Sequence, residues 1–154
     1  MNVNFQVRPV TARDAAALQE TCWPEKSLDA IRELIQRAEG MARRGRGLGI
    51  VADVNSSISG YAQLTIWPRV AEISDLIVTE HLREQGIGSA LIRYLIEEAR
   101  QVGMKQIEIG VALTNRRAYR LYQRLGFGDD RLVNLDLGHG PEAVMYLVME
   151  LSDE

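Results

Sequence analysis

The sequence predicts a mixed α/β protein built around a sheet that is partly antiparallel. Three features support this class. A short strand and two helices come first, three apolar runs rich in β-branched residues follow, and helix, strand, helix and two strands close the chain. The 154 residues suit one domain over 1–154 with a sizeable core, and no repeat or linker divides them.

The first third of the chain is predicted to hold one strand and two helices. A strand at Phe5 and Val7 precedes a helix over 11–21 that Thr11 can cap, and Ser27 can cap a second helix with apolar residues at helical spacing. The glycine- and arginine-rich stretch EGMARRGRGLG that follows is expected to be a flexible loop.

The middle of the chain is predicted to form an antiparallel meander followed by a long helix. Its strands are Leu48–Val54, Ile58–Trp67 and Val70–Val78, and turn-forming residues separate them. An amphipathic helix then occupies Gly86–Val102, and a strand occupies Lys105–Val111.

The last third is predicted to hold one helix and a closing hairpin. Thr114 or Asn115 caps the helix, which reaches Leu125, and the strands are Arg131–Leu137 and Ala143–Leu151. The loop GHGP joins these two strands.

Two glycines, Gly86 and Gly88, stand where the long helix should begin, although glycine is a weak helix former. A dinucleotide-binding fingerprint would need Gly or Ala at the position of Leu91, and a P-loop would need a lysine directly after Gly88. Two interpretations remain: a turn that only fits the helix to the sheet, or a helix start whose bare N–H groups bind an anion such as a pyrophosphate.

Two segments carry a family resemblance. ISDLIVTEHLREQGIGSALI (73–92) contains R-x-x-G-x-G before an amphipathic helix, and TNRRAYRLYQRLGF (114–127) contains N-x-x-A-x-x-L-Y-x-x-x-G-F. Together they resemble the acetyl-CoA-binding motifs of the GNAT superfamily of N-acetyltransferases, and the element order extends the likeness over roughly 50–150. The resemblance implies a mixed, mostly antiparallel sheet of about six or seven strands with a splayed central parallel pair, flanked by about four helices.

The resemblance implies acetyl-CoA as co-substrate. The main chain of 85–89 would hold its pyrophosphate, and the pantetheine arm would lie between strands 74–78 and 105–111. The cofactor-binding residues that it implies are Leu76, Ile77, Val78, Arg83, Glu84, Gln85, Gly86, Ile87, Gly88, Ser89, Asn115 and Tyr122. Four arginines, Arg83, Arg116, Arg117 and Arg120, could serve the other phosphates or simply form a solvated helix face.

Tyr122 is the catalytic residue that the resemblance implies, as general acid to the departing thiolate. It also belongs to an apolar helix stripe, so its ring is expected in the core. The general base stays open among the carboxylates Glu72, Asp75 and Glu108, each of which could instead be exposed or structural. Strand alternation predicts Asp75 on the face of Ile73 and Ile77, and Glu72 on the other face.

Composition excludes several classes of function. The net charge of −3 argues against a general nucleic-acid binder, and two distant histidines with the single Cys22 argue against a metal site. No stretch could span a membrane and the start lacks a secretory signal, so a cytoplasmic protein is expected. His81 and His139 are expected in exposed loops.

The sequence and the resemblance together predict an N-acetyltransferase that acts on the primary amine of a small acceptor, through a direct ternary complex. The alternatives are a non-catalytic acyl-CoA sensor or interaction module, and an acyltransferase for longer chains. The acceptor site is expected from the first two helices, the loop after them, Trp67 and the final hairpin, and the protein is a candidate homodimer.

Overall fold

The computed structural model describes residues 4–136 and 138–151, except for the side chain of His81. Its strands are β1 (Gln6–Pro9), β2 (Gly47–Val54), β3 (Ser57–Ile66), β4 (Ala71–Val78), β5 (Gln106–Ala112), β6 (Gly128–Asp136) and β7 (Pro141–Glu150). Its α-helices are α1 (Ala15–Thr21), α2 (Leu28–Arg43), α3 (Ile87–Gln101) and α4 (Arg116–Arg124). The predicted end of the sixth strand, Leu137, lies outside the described residues.

All seven strands belong to one sheet in the order β1-β2-β3-β4-β5-β7-β6. Strands β4 and β5 at its centre are parallel, and every other neighbouring pair is antiparallel. The predicted mixed, mostly antiparallel sheet with a central parallel pair and four helices is therefore confirmed.

The parallel pairing of β4 with β5 is short. It runs from Ala71 opposite Ile107 to Ile73 opposite Ile109, and no residue after Ile73 is paired with β5. From there the two strands separate, so that main-chain groups of the second half of β4 are left without a partner strand on that side.

A bulge in β4 coincides with this separation. Gln63 of β3 lies opposite Ser74, but Tyr61 lies opposite Ile77, so β4 carries one extra residue. Within it Asp75 adopts a left-handed backbone with φ of 54°. The predicted alternation is therefore wrong beyond this point: Ile73 packs in the core under α3, whereas Ile77 packs with the core under α1 and α2.

Two apolar clusters hold the helices on opposite faces of the sheet. One contains the buried side of α3, including Ile87, Leu91 and Leu95, and the other contains buried residues of α1 and α2, including Leu18 and Ile31. Each fully buried aliphatic side chain contributes roughly 1.5–3 kcal/mol, so both faces fix their helices firmly.

The helix starts have the predicted residues Thr11, Ser27 and Asn115 at their N-caps. Ser27 Oγ accepts from the Ala30 N–H at 3.1 Å, and Asn115, rather than Thr114, accepts from the Ala118 N–H at 3.2 Å. The first helical segment begins with a 3₁₀ turn whose N-cap is Thr11, as predicted, in a capping box with Asp14. The backbone N–H of Thr11 donates to the buried carboxylate of Asp14 at 2.9 Å.

The predicted flexible loop over 39–49 is wrong, since α2 continues to Arg43 and β2 begins at Gly47. Two of the glycines there, Gly47 and Gly49, serve close packing. A Cβ at Gly49 would lie 2.6 Å from the Tyr61 hydroxyl and 2.9 Å from the Ala38 Cβ, so only glycine lets α2 approach β2 this closely.

Candidate active site

A cleft of about 570 Å³ lies where β4 ends and α3 begins, with α4 as its other wall. It is on the α3 side of the sheet, beside the point where β4 and β5 separate. Its lining residues are Leu76, Ile77, Val78, Arg83, Glu84, Gly86, Gly88, Ser89, Asn115, Arg117, Ala118, Arg120, Leu121, Tyr122 and Arg124.

The start of α3 forms the floor of this cleft. Gly86 has φ of 85°, a conformation that glycine adopts without steric cost. The first bond of the helix runs from the Ala90 N–H to the Gly86 carbonyl, so the N–H groups of 87–89 have no partner within the helix. Donors of this kind, at the positive end of a helix dipole, can bind an anion.

The glycines leave this floor open. A Cβ at Gly86 would meet no atom within 4 Å, whereas a Cβ at Gly88 would lie 3.6 Å from Leu121 and 3.9 Å from Val78. A larger side chain at Gly88 would therefore narrow the space between β4 and α4.

Positive charge surrounds the cleft. Arg83 from the loop and three arginines of α4, Arg117, Arg120 and Arg124, line it. The Arg83 side chain also donates to the Val78 carbonyl at 3.3 Å, which ties the loop to the end of β4. An ion pair of 3.6 Å between Arg117 and Glu84 links α4 to the loop, and a bound anion would compete with it.

Tyr122 belongs both to the core and to the lining of the cleft. Its side chain is buried and packs edge to face on Phe127, with ring centroids 6.5 Å apart. Burial raises the pKa of its hydroxyl to about 12. The hydroxyl is consequently protonated at neutral pH, which is the form that can donate a proton.

Most of the sequence-predicted cofactor residues line this one cleft. Gln85 and Ile87 do not: Gln85 is exposed, and the Ile87 side chain is buried under α3. Sequence reasoning missed Ala118, Leu121 and Arg124, which α4 also presents to the cleft. Arg116, predicted beside Arg117 and Arg120, is not part of the lining.

The candidate bases lie outside the cleft. Glu72 accepts a hydrogen bond from the Trp67 indole at 2.8 Å, and Glu108 is paired with Arg131 at 3.0 Å. Asp75 is exposed on the bulge. His139 is an exposed turn residue 3.8 Å from Glu142, and the side chain of His81 lies outside the described residues.

A family model for the acetyltransferase (GNAT) family matches residues 12–127. The chain belongs to this family. The match covers the cleft, both glycines and Tyr122, so the resemblance that the two sequence segments carry is confirmed.

Solved GNAT structures share the fold across nearly the whole chain. RimL, a ribosomal L7/L12 α-N-protein acetyltransferase in complex with coenzyme A, superposes with a TM-score of 0.85 at 15% identity, covering 97% of this chain and 96% of that one. For yncA of Salmonella typhimurium, solved with its cofactor acetyl-CoA, the TM-score is 0.79 at 21% identity, covering 97% and 95%. These likenesses establish the fold.

Curated relatives match over shorter segments. The uncharacterized N-acetyltransferase YvbK of Bacillus subtilis is 34% identical over 83 residues, which is 53% of this chain and 54% of that protein. The aminoalkylphosphonate N-acetyltransferase of Salmonella typhimurium is 40% identical over 58 residues, 38% of each. The chain thus spans only about a third to a half of the length of these relatives.

Two further findings concern the described part of the chain alone. No helix there is long and apolar enough to cross a membrane. Among the same residues, no group of three His, Cys, Asp or Glu side chains is placed as metal ligands would be.

Proposed function

We propose that this GNAT protein transfers an acetyl group from acetyl-CoA to the primary amine of a small acceptor, in a direct ternary complex. One observation carries the proposal: a helix start with N–H groups unpaired within the helix and a buried, protonated tyrosine line the same cleft, at the gap between β4 and β5. The first suits a pyrophosphate and the second suits a leaving thiolate.

The residues of the cleft fit coenzyme A. The N–H groups of 87–89 and the open space at Gly86 suit the pyrophosphate, and the cleft arginines suit further phosphate charge. The unpaired second half of β4, Leu76–Val78, can pair with the amide groups of an extended arm as an added strand would. Asn115 caps α4 at the edge of the cleft and keeps that helix in place.

Acetyl transfer forms an N–C bond and breaks the C–S bond of the thioester. We assign Tyr122 the role of donating its hydroxyl proton to the departing sulfur. A main-chain N–H near Ile77 or Val78 would stabilise the negative charge that develops on the thioester oxygen. We assign the amine proton to a carboxylate on the opposite side of the gap, with Glu72 and Asp75 as candidates.

The choice of a small acceptor is part of the proposal. The aminoalkylphosphonate N-acetyltransferase is a relative that acts on a small amine, whereas RimL has the same fold and is named for a ribosomal protein. Acceptor preference therefore varies within one fold, and a thiol-release screen of acetyl-CoA against amine libraries is the direct way to identify the acceptor.

Tyr122→Phe tests the proposal. We expect it to lower kcat by about 10²- to 10⁴-fold, because it removes the proton donor and keeps the ring packed on Phe127. The dissociation constant of acetyl-CoA, measured by calorimetry, should stay unchanged. Tyr119→Phe is the matched control on α4: the Tyr119 hydroxyl donates to Asp129 at 2.6 Å outside the cleft, so its loss should leave kcat as it is.

Two results would overturn this assignment. Unchanged kcat in Tyr122→Phe would remove the tyrosine from the mechanism. Binding of acetyl-CoA without thiol release across a broad amine panel would instead favour the non-catalytic sensor.

A further inference from the structure

An exposed tryptophan and four arginines lie at the end of the sheet where β4 begins. They come from the end of α2, the residue before β2 and the turn between β3 and β4. All are exposed, the tryptophan by 49%. We call these five side chains the basic patch: Arg43, Arg44, Arg46, Trp67 and Arg69.

Main-chain hydrogen bonds bring these connections side by side. The Ile66 N–H donates to the Arg46 carbonyl at 2.8 Å, so Arg46 lies beside the residue that precedes Trp67. A bond of 3.0 Å between its first and last residues closes the turn over 67–70. The end of α2 is fixed at the same place, because the Arg46 N–H donates to the Met41 carbonyl at 2.8 Å.

The charges of the basic patch are not neutralised by the described part of the chain. None of its four arginines lies within ion-pair distance of a described carboxylate. The negative end of the α2 dipole accounts for Arg43 and Arg44, but Arg46 and Arg69 lie outside any helix. Because the whole protein has a net charge of −3, a polyanion would be attracted to a local surface of this kind and not to the molecule as a whole.

Trp67 adds a flat ring in a fixed position. Its indole N–H donates to Glu72 at 2.8 Å, while about half of the side chain stays exposed. Aromatic rings among cationic side chains are the surfaces on which proteins stack unpaired bases, with the cations on the phosphates. One apolar side chain is too little to insert into a membrane, and an acidic peptide has no base to stack on the ring.

The basic patch is separate from the cofactor cleft. Its residues precede Ala71, the first residue of β4, whereas Leu76 and the two residues after it line the cleft at the other end of this strand. At about 3.3 Å per residue, the strand between Ala71 and Leu76 spans roughly 15 Å. A partner bound to the basic patch would therefore leave the cleft open.

We propose that the basic patch is a docking surface for single-stranded RNA, in which the arginines contact successive phosphates and one base stacks on Trp67. A single strand is required because the bases of a duplex are already stacked on one another, and RNA loops present unpaired bases. This inference does not rest on the proposed acetyl transfer.

The full chain, titrated into a fluorescently labelled uridine dodecamer and followed by anisotropy, tests the proposal. Neutralising four phosphates of a single strand gives a salt slope of about −3, so affinity should fall about 50-fold between 50 and 200 mM salt. Trp67→Leu should weaken binding about tenfold, because stacking on one base is lost. With unlabelled RNA, the tryptophan fluorescence should be quenched at Trp67, since Trp23 is buried.

A pair of double variants tests the arginines. Arg46→Gln with Arg69→Gln removes two charges without altering α2, so it should reduce the salt slope to about −1.5 and weaken binding at 50 mM salt about tenfold. Arg32→Gln with Arg93→Gln is the matched control, because it removes the same charge at exposed positions outside the basic patch. It should bind the dodecamer as wild type.

Three competitors distinguish other partners and other sites. Polyaspartate of twelve residues carries charge without bases, vesicles of phosphatidylserine and phosphatidylcholine offer an anionic membrane, and excess coenzyme A would displace RNA bound in the cleft. Weak binding of the first two and no displacement by the third are expected. The inference is overturned if polyaspartate binds as tightly as the dodecamer, if the protein sediments with the vesicles but does not bind the dodecamer, if coenzyme A displaces it, or if both double variants lose affinity equally.

Discussion

On the α3 side of the β4–β5 gap, the cleft combines main-chain groups, namely the N–H groups at 87–89, two glycines and an unpaired strand edge, with the side chains of α4. On the other side, the surface consists of side chains from four strands and one loop, namely Trp67, Glu72, Glu108, Arg131 and Tyr146. Main-chain recognition is encoded by where glycines and a helix start fall, so it leaves a short pattern in the sequence. A side-chain surface assembled from distant strands leaves none.

The largest effect, on the affinity for acetyl-CoA, is expected when the main-chain groups at the start of α3 are blocked. Gly86→Asp should weaken acetyl-CoA binding about 1000-fold or more, because it places a negative charge where the pyrophosphate would lie, and like charges in contact cost several kcal/mol. Calorimetry measures the change directly.

Two control variants separate the effect of the aspartate's negative charge from the effect of adding a side chain. Gly86→Asn has the same shape and the same tolerance of a left-handed backbone, so it should bind far better than the aspartate variant. Gly103→Asp introduces the same residue at φ of 84° at the far end of α3, where a Cβ meets nothing within 4 Å, and should bind as wild type. Equal loss in the aspartate and asparagine variants at position 86 would contradict an anion site.

The same contrast explains which features could be predicted from sequence. The glycine spacing, the caps Ser27 and Asn115 and the stripe of α3 are local patterns, and the structure has them where expected. Gly49 falls both in the predicted glycine-rich loop and in the predicted strand Leu48–Val54, because a glycine needed for packing against Tyr61 looks the same in sequence as a glycine in a turn.

Other misses have tertiary causes. The bulge at Asp75 shifts the alternation of β4 by one residue, and aspartate is not a residue that marks a bulge as glycine does. The pairing of Arg131 with Glu108 depends on β7 lying between β5 and β6, which strand periodicity cannot reveal. Arg124 was missed because its place in the cleft depends on how α4 is rotated against β4.

An effect of intermediate size, on stability, is expected when the ion pair of the side-chain surface is broken. Arg131→Met should lower the free energy of unfolding by about 2 kcal/mol, because it leaves the buried Glu108 carboxylate without its bidentate partner. The expected loss of stability is smaller than for a fully buried ion pair, since the Arg131 side chain is 48% exposed. Urea unfolding gives the value.

Arg117→Met is the matched control for that change. Its side chain is 49% exposed, about the same as the 48% of Arg131, but its partner Glu84 is 79% exposed whereas Glu108 is 10% exposed. Surface pairs of this kind contribute about 0–1 kcal/mol, so stability should hardly change. If the two variants lose the same stability, partner burial does not decide the strength of these pairs.

The smallest effect tests whether the arginines of α4 bind the cofactor or only form a solvated face. Arg120→Gln should weaken acetyl-CoA binding about two- to fivefold, and the loss should shrink at high salt, because an exposed charge contributes less than about 1 kcal/mol and is screened. Arg116→Gln, on the same helix but outside the cleft, should bind as wild type at any salt concentration. If the two variants bind acetyl-CoA with the same affinity, both arginines only form a solvated helix face. A loss in Arg120→Gln alone would show that side chains add a screened, secondary attraction to a site that the main chain of α3 forms.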